Sequence, residues 1–167
     1  GLRGVMPIEK NWDTYFQKLK EIYNCKYHGK SGSIYEITNY ACPALAIISE
    51  SDAINKGLFQ LLSLILKNVK GSAEFPLNVI AWNDNGKITS VIFLRKKLRP
   101  ECYFAQGEEQ LLVSPGAVDM CGLLITPRKE DFDKLTPETA ISILKEVTVS
   151  EQEFEEIAQQ LSKIIIH

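Results

Sequence analysis

Histidine is scarce in this sequence, and the residues that build common catalytic and metal sites do not occur at the spacings that those sites need. The histidines and cysteines are His28, His167, Cys25, Cys42, Cys102 and Cys121. No Cys-x-x-Cys pair is present, whereas a zinc site usually takes several such ligands held close together. A phosphate-cradling Walker loop and a Gly-x-Gly-x-x-Gly motif are also missing. We therefore expect no metal centre and no cofactor.

An excess of positive charge is missing as well. The net charge is -2 at pH 7 and the pI is near 5.8, whereas a general nucleic-acid binder usually carries a basic face. We expect no nucleic-acid partner, and any anion site must be local. No charged-then-apolar leader and no apolar run close to a membrane span occurs. The sequence thus predicts no membrane partner and a reducing, cytoplasmic location in which the four thiols stay free.

Length and composition predict one domain that covers residues 1–167. Apolar residues make up 45% of the sequence and charged residues 24%, and 167 residues are enough to bury a sizeable core. The chain opens on Gly1-Leu2-Arg3-Gly4 without an initiator methionine. We therefore expect it to be part of a longer protein.

Hydrophobic periodicity and turn residues predict an α+β domain with a mainly antiparallel sheet and flanking helices. The predicted elements, in chain order, are a helix at about 11–24 that residues 25–33 break, strands at 34–38 and 44–48, a helix from Ser51 or Asp52 to Gly71, strands at 77–82 and 87–94, an irregular segment at 101–109, short strands at 111–113 and 122–125, and helices that begin at Thr126-Pro127, Thr136-Pro137 and Ser150.

Three of these predictions depend on local chemistry. The strand at 44–48 is apolar on both faces, which places it at the centre of a sheet. Asn83-Asp84-Asn85-Gly86 separates the strands at 77–82 and 87–94, and Asn and Gly tolerate the positive φ values of a tight hairpin turn. Ser150 with Glu153 three residues later is a capping box.

Cationic side chains follow the predicted strand at 87–94. Four of them fall within five residues: Arg95, Lys96, Lys97 and Arg99. Arg and Lys donate charge-assisted hydrogen bonds to phosphate oxygens, so this basic run is a candidate polyphosphate site. The ordinary alternative is a solvated strand end.

A turn at Ser114-Pro115-Gly116 is the second candidate feature. Asp119 follows it, beside apolar neighbours at the start of the next predicted strand. This carboxylate could cap backbone amides or face a ligand's hydroxyl or cation. Capping is favoured, because Asp satisfies local amides in most loops.

No catalytic residue can be identified from the residues themselves. Nucleophilic catalysis needs a nucleophile held beside a base, and His28 is predicted to lie in a loop outside any motif. Ser114 lacks the glycine-flanked elbow of hydrolases, and the adjacent Glu108 and Glu109 should point apart into solvent. The residues alone therefore indicate an α+β domain with a candidate anion site.

Five segments carry a resemblance to a known family: residues 93–100, 105–108, 114–122, 126–128 and 131–132. The most specific is Ser114-Pro115-Gly116-Ala117-Val118-Asp119-Met120-Cys121-Gly122. Together they resemble a largely Bacteroides-type family related to the GDP-galactose and GDP-glucose phosphorylases. The resemblance implies a histidine-triad fold, like one half of galactose-1-phosphate uridylyltransferase.

The same resemblance implies nucleotidyl transfer by a nucleophilic histidine in a His-x-His-x-Gln motif. This chain contains no such motif, and residues 1–9 resemble the stretch that follows it. The chain is therefore expected to be the C-terminal half of a nucleotide-sugar phosphorylase, inactive alone, whose partners are the missing N-terminal half, a nucleotide-diphosphate sugar and a second copy in a homodimer.

Site residues are implied by their positions in these motifs. Arg95, Lys96 and Arg99 become candidates to neutralise the charge of a diphosphate, with support from Ser114, Gly116 and Asp119. The alternative is a non-catalytic binding or oligomerisation module.

Overall fold

An antiparallel sheet with helices packed against it forms the framework of the chain. The computed structural model describes residues 2–3, 23–29, 32–37, 40–49, 51–70 and 77–166. The strands are β1 (Leu2–Arg3), β2 (Tyr23–His28), β3 (Gly32–Ile37), β4 (Leu45–Ser49), β5 (Leu77–Asp84), β6 (Lys87–Leu94) and β7 (Leu124–Ile125). The helices are α1 (Asp52–Lys70), α2 (Glu101–Phe104), α3 (Ala117–Met120), α4 (Lys129–Lys134), α5 (Pro137–Val147) and α6 (Glu151–Ile166). The predicted α+β class is confirmed.

Five of the strands form one sheet in the order β2-β3-β4-β6-β5, with every neighbouring pair antiparallel. The predicted hairpin is present, and its register runs from Leu77 opposite Leu94 to Asp84 opposite Lys87. Asn85 and Gly86 have φ values of 51° and 86° at the turn, as the sequence there predicts. Strand β4 lies at the centre, as its apolar character on both faces predicted.

Alternation along β4 and β6 divides the buried side chains into two clusters. Leu45, Ile47, Ile92 and Leu94 lie in the first core, which the long helices α1 and α6 cover. The intervening side chains of the same strands lie in the second core, on the other face of the sheet. That core includes Ala46, Val91, Phe93, Leu111, Val113, Met120, Leu124, Ile143, Leu144 and Val147. Both faces are therefore covered, the second one by loops and shorter helices.

A small second sheet lies beside the second core. Strand β1 pairs antiparallel with β7, with Leu2 opposite Ile125 and Arg3 opposite Leu124. The predicted strand at 122–125 is thus confirmed in its last two residues. Its pairing brings the first described residues of the chain to the region that follows α3.

Two predicted caps are confirmed at the helices of the C-terminal third. The Thr136 hydroxyl accepts a hydrogen bond from Thr139 N at 3.2 Å, with Pro137 as the first residue of α5. Ser150 and Glu153 exchange hydrogen bonds at the start of α6. Such side-chain caps satisfy backbone amides that the first turn of a helix leaves without partners.

Several predicted elements are wrong or shifted. The described part of residues 25–33 interrupts the predicted helix, but it does so as strand, because β2 and the start of β3 pair antiparallel with one register shift between Cys25 and Tyr27. Tyr27 packs against the first core, and Lys26 forms an ion pair with Glu36 at 3.1 Å. The end of the helix predicted at 11–24 is likewise strand from Tyr23; its remainder, to residue 22, lies outside the described residues.

The remaining corrections concern the segment after β6. Residues 111–113 are not a strand, since they cross the face of the sheet and bury Leu111 and Val113 in the second core. Helix α4 begins at Lys129 with Arg128 as its N-cap, not at Thr126-Pro127, because Arg128 keeps an extended backbone and engages Asp131 through its side chain. Asp119 lies in helix α3 and not at the start of a strand.

Candidate functional site

The basic run leaves the end of β6, where the sheet meets the loops that cover the second core. Val91 and Phe93 of β6 point into that core, and the period of two carries Arg95 to the same side. Arg95 is only 4% exposed. Lys96 falls on the opposite side and is exposed to solvent. The four cations of the run therefore occupy different environments.

Arg95 makes all of its polar contacts inside the protein. Its Nη1 donates to Asn78 Oδ1 and to the Pro115 carbonyl oxygen, at 2.6 Å each. Its Nη2 donates to the carbonyl oxygens of Lys97 and Leu98 at 2.9 and 2.8 Å, and Nε donates to Lys97 O at 3.2 Å. Every N–H of the guanidinium thus has an acceptor. Arg95 positions the loops, and in this arrangement it has no N–H available for a ligand.

Lys97 is paired with carboxylates on both sides. Its Nζ lies 2.6 Å from Glu101 Oε1 and 2.9 Å from Glu146 Oε1. Hydrogen bonds from Lys97 to Glu101 and then to Glu146 raise the pKa of this ammonium group. Glu146 Oε1 also accepts a hydrogen bond from the backbone N of Glu101 at 2.9 Å. The charge of Lys97 is therefore neutralised locally.

Lys96 and Arg99 remain as the cations with no ion pair among the described residues. Arg99 is half-buried, and its Nε lies 3.4 Å from Ser114 Oγ. Its guanidinium Cζ is 4.3 Å from the centre of the Tyr103 ring, which is cation–π distance. The structure thus brings Arg99 and Ser114, two of the predicted site residues, into contact.

The Ser114 loop, residues 114–116, is fixed at its other end by Asp119. This carboxylate is 6% exposed and accepts hydrogen bonds from Gly116 N at 2.8 Å and from Ile125 N at 2.7 Å. The capping interpretation of Asp119 is confirmed by these two bonds. Arg95 holds the same loop through Pro115. The loop that carries Ser114 is therefore fixed on both sides.

Sequence reasoning missed four residues of this region: Asn78, Glu146, Tyr103 and Phe104. The first two accept hydrogen bonds from Arg95 and Lys97. The other two lie in α2, inside a segment predicted to be irregular, and their rings pack at 5.2 Å with an interplanar angle of 73°. Two neighbouring aromatic residues four and five positions after a cationic Arg were the available signal for the ring pair.

Three of the four cysteines have a raised pKa and are therefore not activated nucleophiles. Burial raises the pKa of the Cys42 thiol to about 12 and that of Cys121 to about 11. Burial also raises the pKa of Cys102. These three thiols are protonated at neutral pH, whereas nucleophilic attack needs a thiolate. All four cysteines are free, as predicted.

His28 lies in strand β2 and not in a loop. Its Nδ1 is 2.7 Å from Ser33 Oγ on the neighbouring strand. Among the described residues, no group of three or more His, Cys, Asp or Glu side chains is arranged to hold a metal ion. No helix in the described part of the chain is long and apolar enough to span a membrane.

An ion pair between Arg128 and Asp131 organises the segment after β7. Arg128 donates to both carboxylate oxygens of Asp131, with Nε to Oδ2 at 2.8 Å and Nη2 to Oδ1 at 2.7 Å. Its Nη1 reaches Gln110 Oε1 at 3.2 Å. Asp131 is 0% exposed, and the hydrogen bonds from Arg128 lower the pKa of its carboxyl group against the opposing effect of burial.

The lowered pKa of Asp131 predicts an acid-dependent loss of stability. A carboxyl group with a depressed folded-state pKa contributes stability above its unfolded pKa of about 3.9, and that stability is lost as pH falls through the folded pKa. We expect the melting temperature of Asp131→Asn to lie below that of the wild type at pH 7 and the gap to narrow as pH falls below about 3.9. Melting curves from pH 7 to pH 2.5 check this, with the exposed Asp133→Asn as the matched control. A gap that does not change with pH would contradict it.

A comparison with protein families places this arrangement in a known context. A sequence model described as "GDPGP1-like, C-terminal domain" matches residues 15–166, which is nearly the whole chain. The chain belongs to this family. The predicted relation to the GDP-sugar phosphorylases, as a C-terminal portion, is thereby confirmed for this GDPGP1-like domain.

One curated relative of the GDPGP1-like domain is GDP-L-galactose phosphorylase 2 of Arabidopsis thaliana. It is 32% identical over an alignment of 95 residues that covers 50% of this chain and 20% of the plant protein. The match therefore spans a minor part of that relative's length. No solved structure matches the chain.

Proposed function

We propose that this GDPGP1-like domain binds the diphosphate of a nucleotide-sugar through Lys96, Arg99 and the hydroxyl of Ser114. The observation that carries the proposal is the contact between Arg99 and Ser114 on a loop that Arg95 and Asp119 fix from both sides. Lys96 adds a second, exposed cation, which forms no ion pair among the described residues although its charge acts on Glu146. In the proposal, Arg95, Gly116 and Asp119 position these groups and do not themselves touch the ligand.

The chemistry follows from the charge on a diphosphate. In a phosphorylase-type reaction, a histidine nitrogen bonds to the nucleotide's phosphorus while the bond from that phosphorus to the sugar-phosphate oxygen breaks. Inorganic phosphate then takes the nucleotidyl group from the histidine. Negative charge moves onto the departing oxygen, and preorganised cations stabilise that change. Lys96 and Arg99 would supply this stabilisation.

The nucleophile would come from outside this chain. The chain's two histidines, His28 and His167, are far apart in sequence and form no His-x-His motif. We therefore propose that the domain is inactive by itself and acts with an N-terminal, histidine-triad-type part of the parent protein, in the cytoplasm. The plant relative's name, GDP-L-galactose phosphorylase, supports a GDP-hexose as the substrate class.

Calorimetric titration with pyrophosphate tests the diphosphate site. The wild-type chain should bind pyrophosphate, and the double variant Lys96→Ala/Arg99→Ala should bind it at least tenfold more weakly, a loss of about 1.4 kcal/mol. The affinity should also fall with added salt, because exposed charges are screened. Lys129→Ala, at an exposed lysine paired with Asp133 on α4, controls for the loss of a positive charge. Equal pyrophosphate affinity in all variants would contradict the proposal.

Exposed apolar side chains favour a second candidate, an oligomerisation or docking surface. Val118, Ile125 and Ile141 are 50%, 48% and 43% exposed. Ile141 lines a pocket of about 290 Å³ together with Leu124, Leu135 and Leu144, and Val118 and Ile125 are sequence neighbours of its lining residues Asp119 and Leu124. This surface could serve a homodimer or a contact with the N-terminal part. Sedimentation velocity distinguishes the homodimer from the contact with the N-terminal part. A sedimentation coefficient that stays at the monomer value at all protein concentrations excludes the homodimer.

A further inference from the structure

Phe104 is the most exposed large apolar side chain in the described part of the chain. Its relative exposure is 65%, although an apolar ring gains free energy when it is buried in a core. The residue closes α2, which directly follows the basic run. The exposed ring therefore lies on the helix that carries Tyr103, the contact partner of Arg99.

The ring of Phe104 belongs to a short stack that ends on a cation of the proposed site. The Phe104 ring meets the Tyr103 ring in an edge-to-face arrangement, with centres 5.2 Å apart. Arg99 lies on the Tyr103 ring, with its guanidinium carbon 4.3 Å from the ring centre. Arg99 in turn contacts Ser114 Oγ at 3.4 Å. Ser114, Arg99 and the exposed ring of Phe104 are thus linked through Tyr103 in one continuous set of contacts.

This arrangement matches the polarity of a nucleotide. A nucleoside diphosphate has a planar base with an apolar face at one end and a strongly charged diphosphate at the other. Bases stack on exposed aromatic side chains, and cations near the stack contact the backbone phosphates. Leu98 lies between Lys96 and Arg99 in the sequence and is 59% exposed, so it adds apolar surface to the basic run.

We propose that Phe104 is the stacking surface for the base of a nucleoside diphosphate whose phosphates are bound by Lys96 and Arg99. The inference rests on the proposed function and deepens it, because it assigns the base to a residue of this chain. Tyr103 positions both residues, since its ring contacts Arg99 and Phe104.

Parallel titrations with GDP and pyrophosphate test the assignment. Phe104→Ala should weaken GDP binding by about fivefold or more, the lower range for loss of one base–aromatic stack. It should change pyrophosphate affinity by less than twofold, because pyrophosphate has no base. Phe104→Leu should behave like Phe104→Ala, and Phe104→Trp should restore GDP affinity. Leu64→Ala, at another highly exposed apolar residue, should change neither affinity.

The outcomes separate this inference from the proposed function. The stacking role alone would be overturned if the wild-type chain bound pyrophosphate but bound GDP no more tightly than pyrophosphate. Equal GDP affinity in the wild type and Phe104→Ala would do the same, and would leave Phe104 as a protein contact. Absence of binding to both ligands would overturn both proposals. A loss of GDP affinity that Phe104→Leu fully avoids would indicate a packing role in place of stacking.

Discussion

Replacing Arg95 with alanine should lower the free energy of unfolding by at least about 3 kcal/mol, because several hydrogen bonds from a charged donor are lost and each is typically worth about 1.5–3 kcal/mol. The guanidinium is 4% exposed and donates to Asn78, Pro115, Lys97 and Leu98. Its removal leaves these acceptors without their donor and opens a cavity under the Ser114 loop. Urea unfolding at pH 7, followed by circular dichroism, measures the change.

Two variants at and beside this position serve as controls. Lys96→Ala removes an equal charge from an exposed side chain and should change stability by less than about 0.5 kcal/mol. Arg95→Lys keeps the charge but lacks the planar fork that reaches several acceptors, so it should lose an intermediate amount. An Arg95→Ala variant as stable as Lys96→Ala would show that Arg95 does not organise the loops.

Replacing Asp119 with alanine should cost about 2–4 kcal/mol, because two hydrogen bonds to a buried charged acceptor are lost and each is typically worth about 1.5–3 kcal/mol before relaxation. The affected donors are the amides of Gly116 and Ile125. The loss should also release the Ser114 loop and weaken pyrophosphate binding, because the Asp119 carboxylate accepts hydrogen bonds from the backbone amides of that loop and of Ile125. Thermal unfolding and calorimetry on the same sample measure both effects.

Asp119→Asn distinguishes capping from simple space filling. Asparagine matches the shape of aspartate but presents one oxygen and one NH₂ group, so it can accept from one of the two amides and faces the other with a donor. It should therefore lose stability as well. Wild-type stability in Asp119→Asn would contradict a capping role that uses both carboxylate oxygens.

Much of the framework could be predicted from local patterns. The apolar run at 44–48 predicted a central strand, the Asn83-Asp84-Asn85-Gly86 turn predicted a hairpin, and the Thr136 and Ser150 caps predicted two helix starts. The capping role of Asp119 could be predicted because it depends on backbone amides three and six residues away. These features depend on short-range chemistry, which a sequence displays directly.

Other features depend on contacts between distant residues. Lys97 is neutralised by Glu146, 49 residues later, and Arg95 reaches Asn78 on the neighbouring strand. The alternation of Val91 and Phe93, extended by two residues, would have predicted the burial of Arg95. No local pattern shows which distant acceptors a buried arginine reaches. Strand β2 was missed because an edge strand that is partly exposed and has an irregular register shows weak alternation.

The measurement that tests the proposed diphosphate site most directly is amide chemical-shift mapping by NMR, with the ¹⁵N-labelled chain titrated with GDP. The largest shifts should fall on the amides of Leu98, Arg99, Ser114 and Gly116 and on those of Tyr103 and Phe104. Such a pattern would place the phosphates and the base on the surface that Arg95 and Asp119 fix. Shifts confined to another region, such as the groove of about 630 Å³ between Tyr40 and Ser150, would contradict the proposed site.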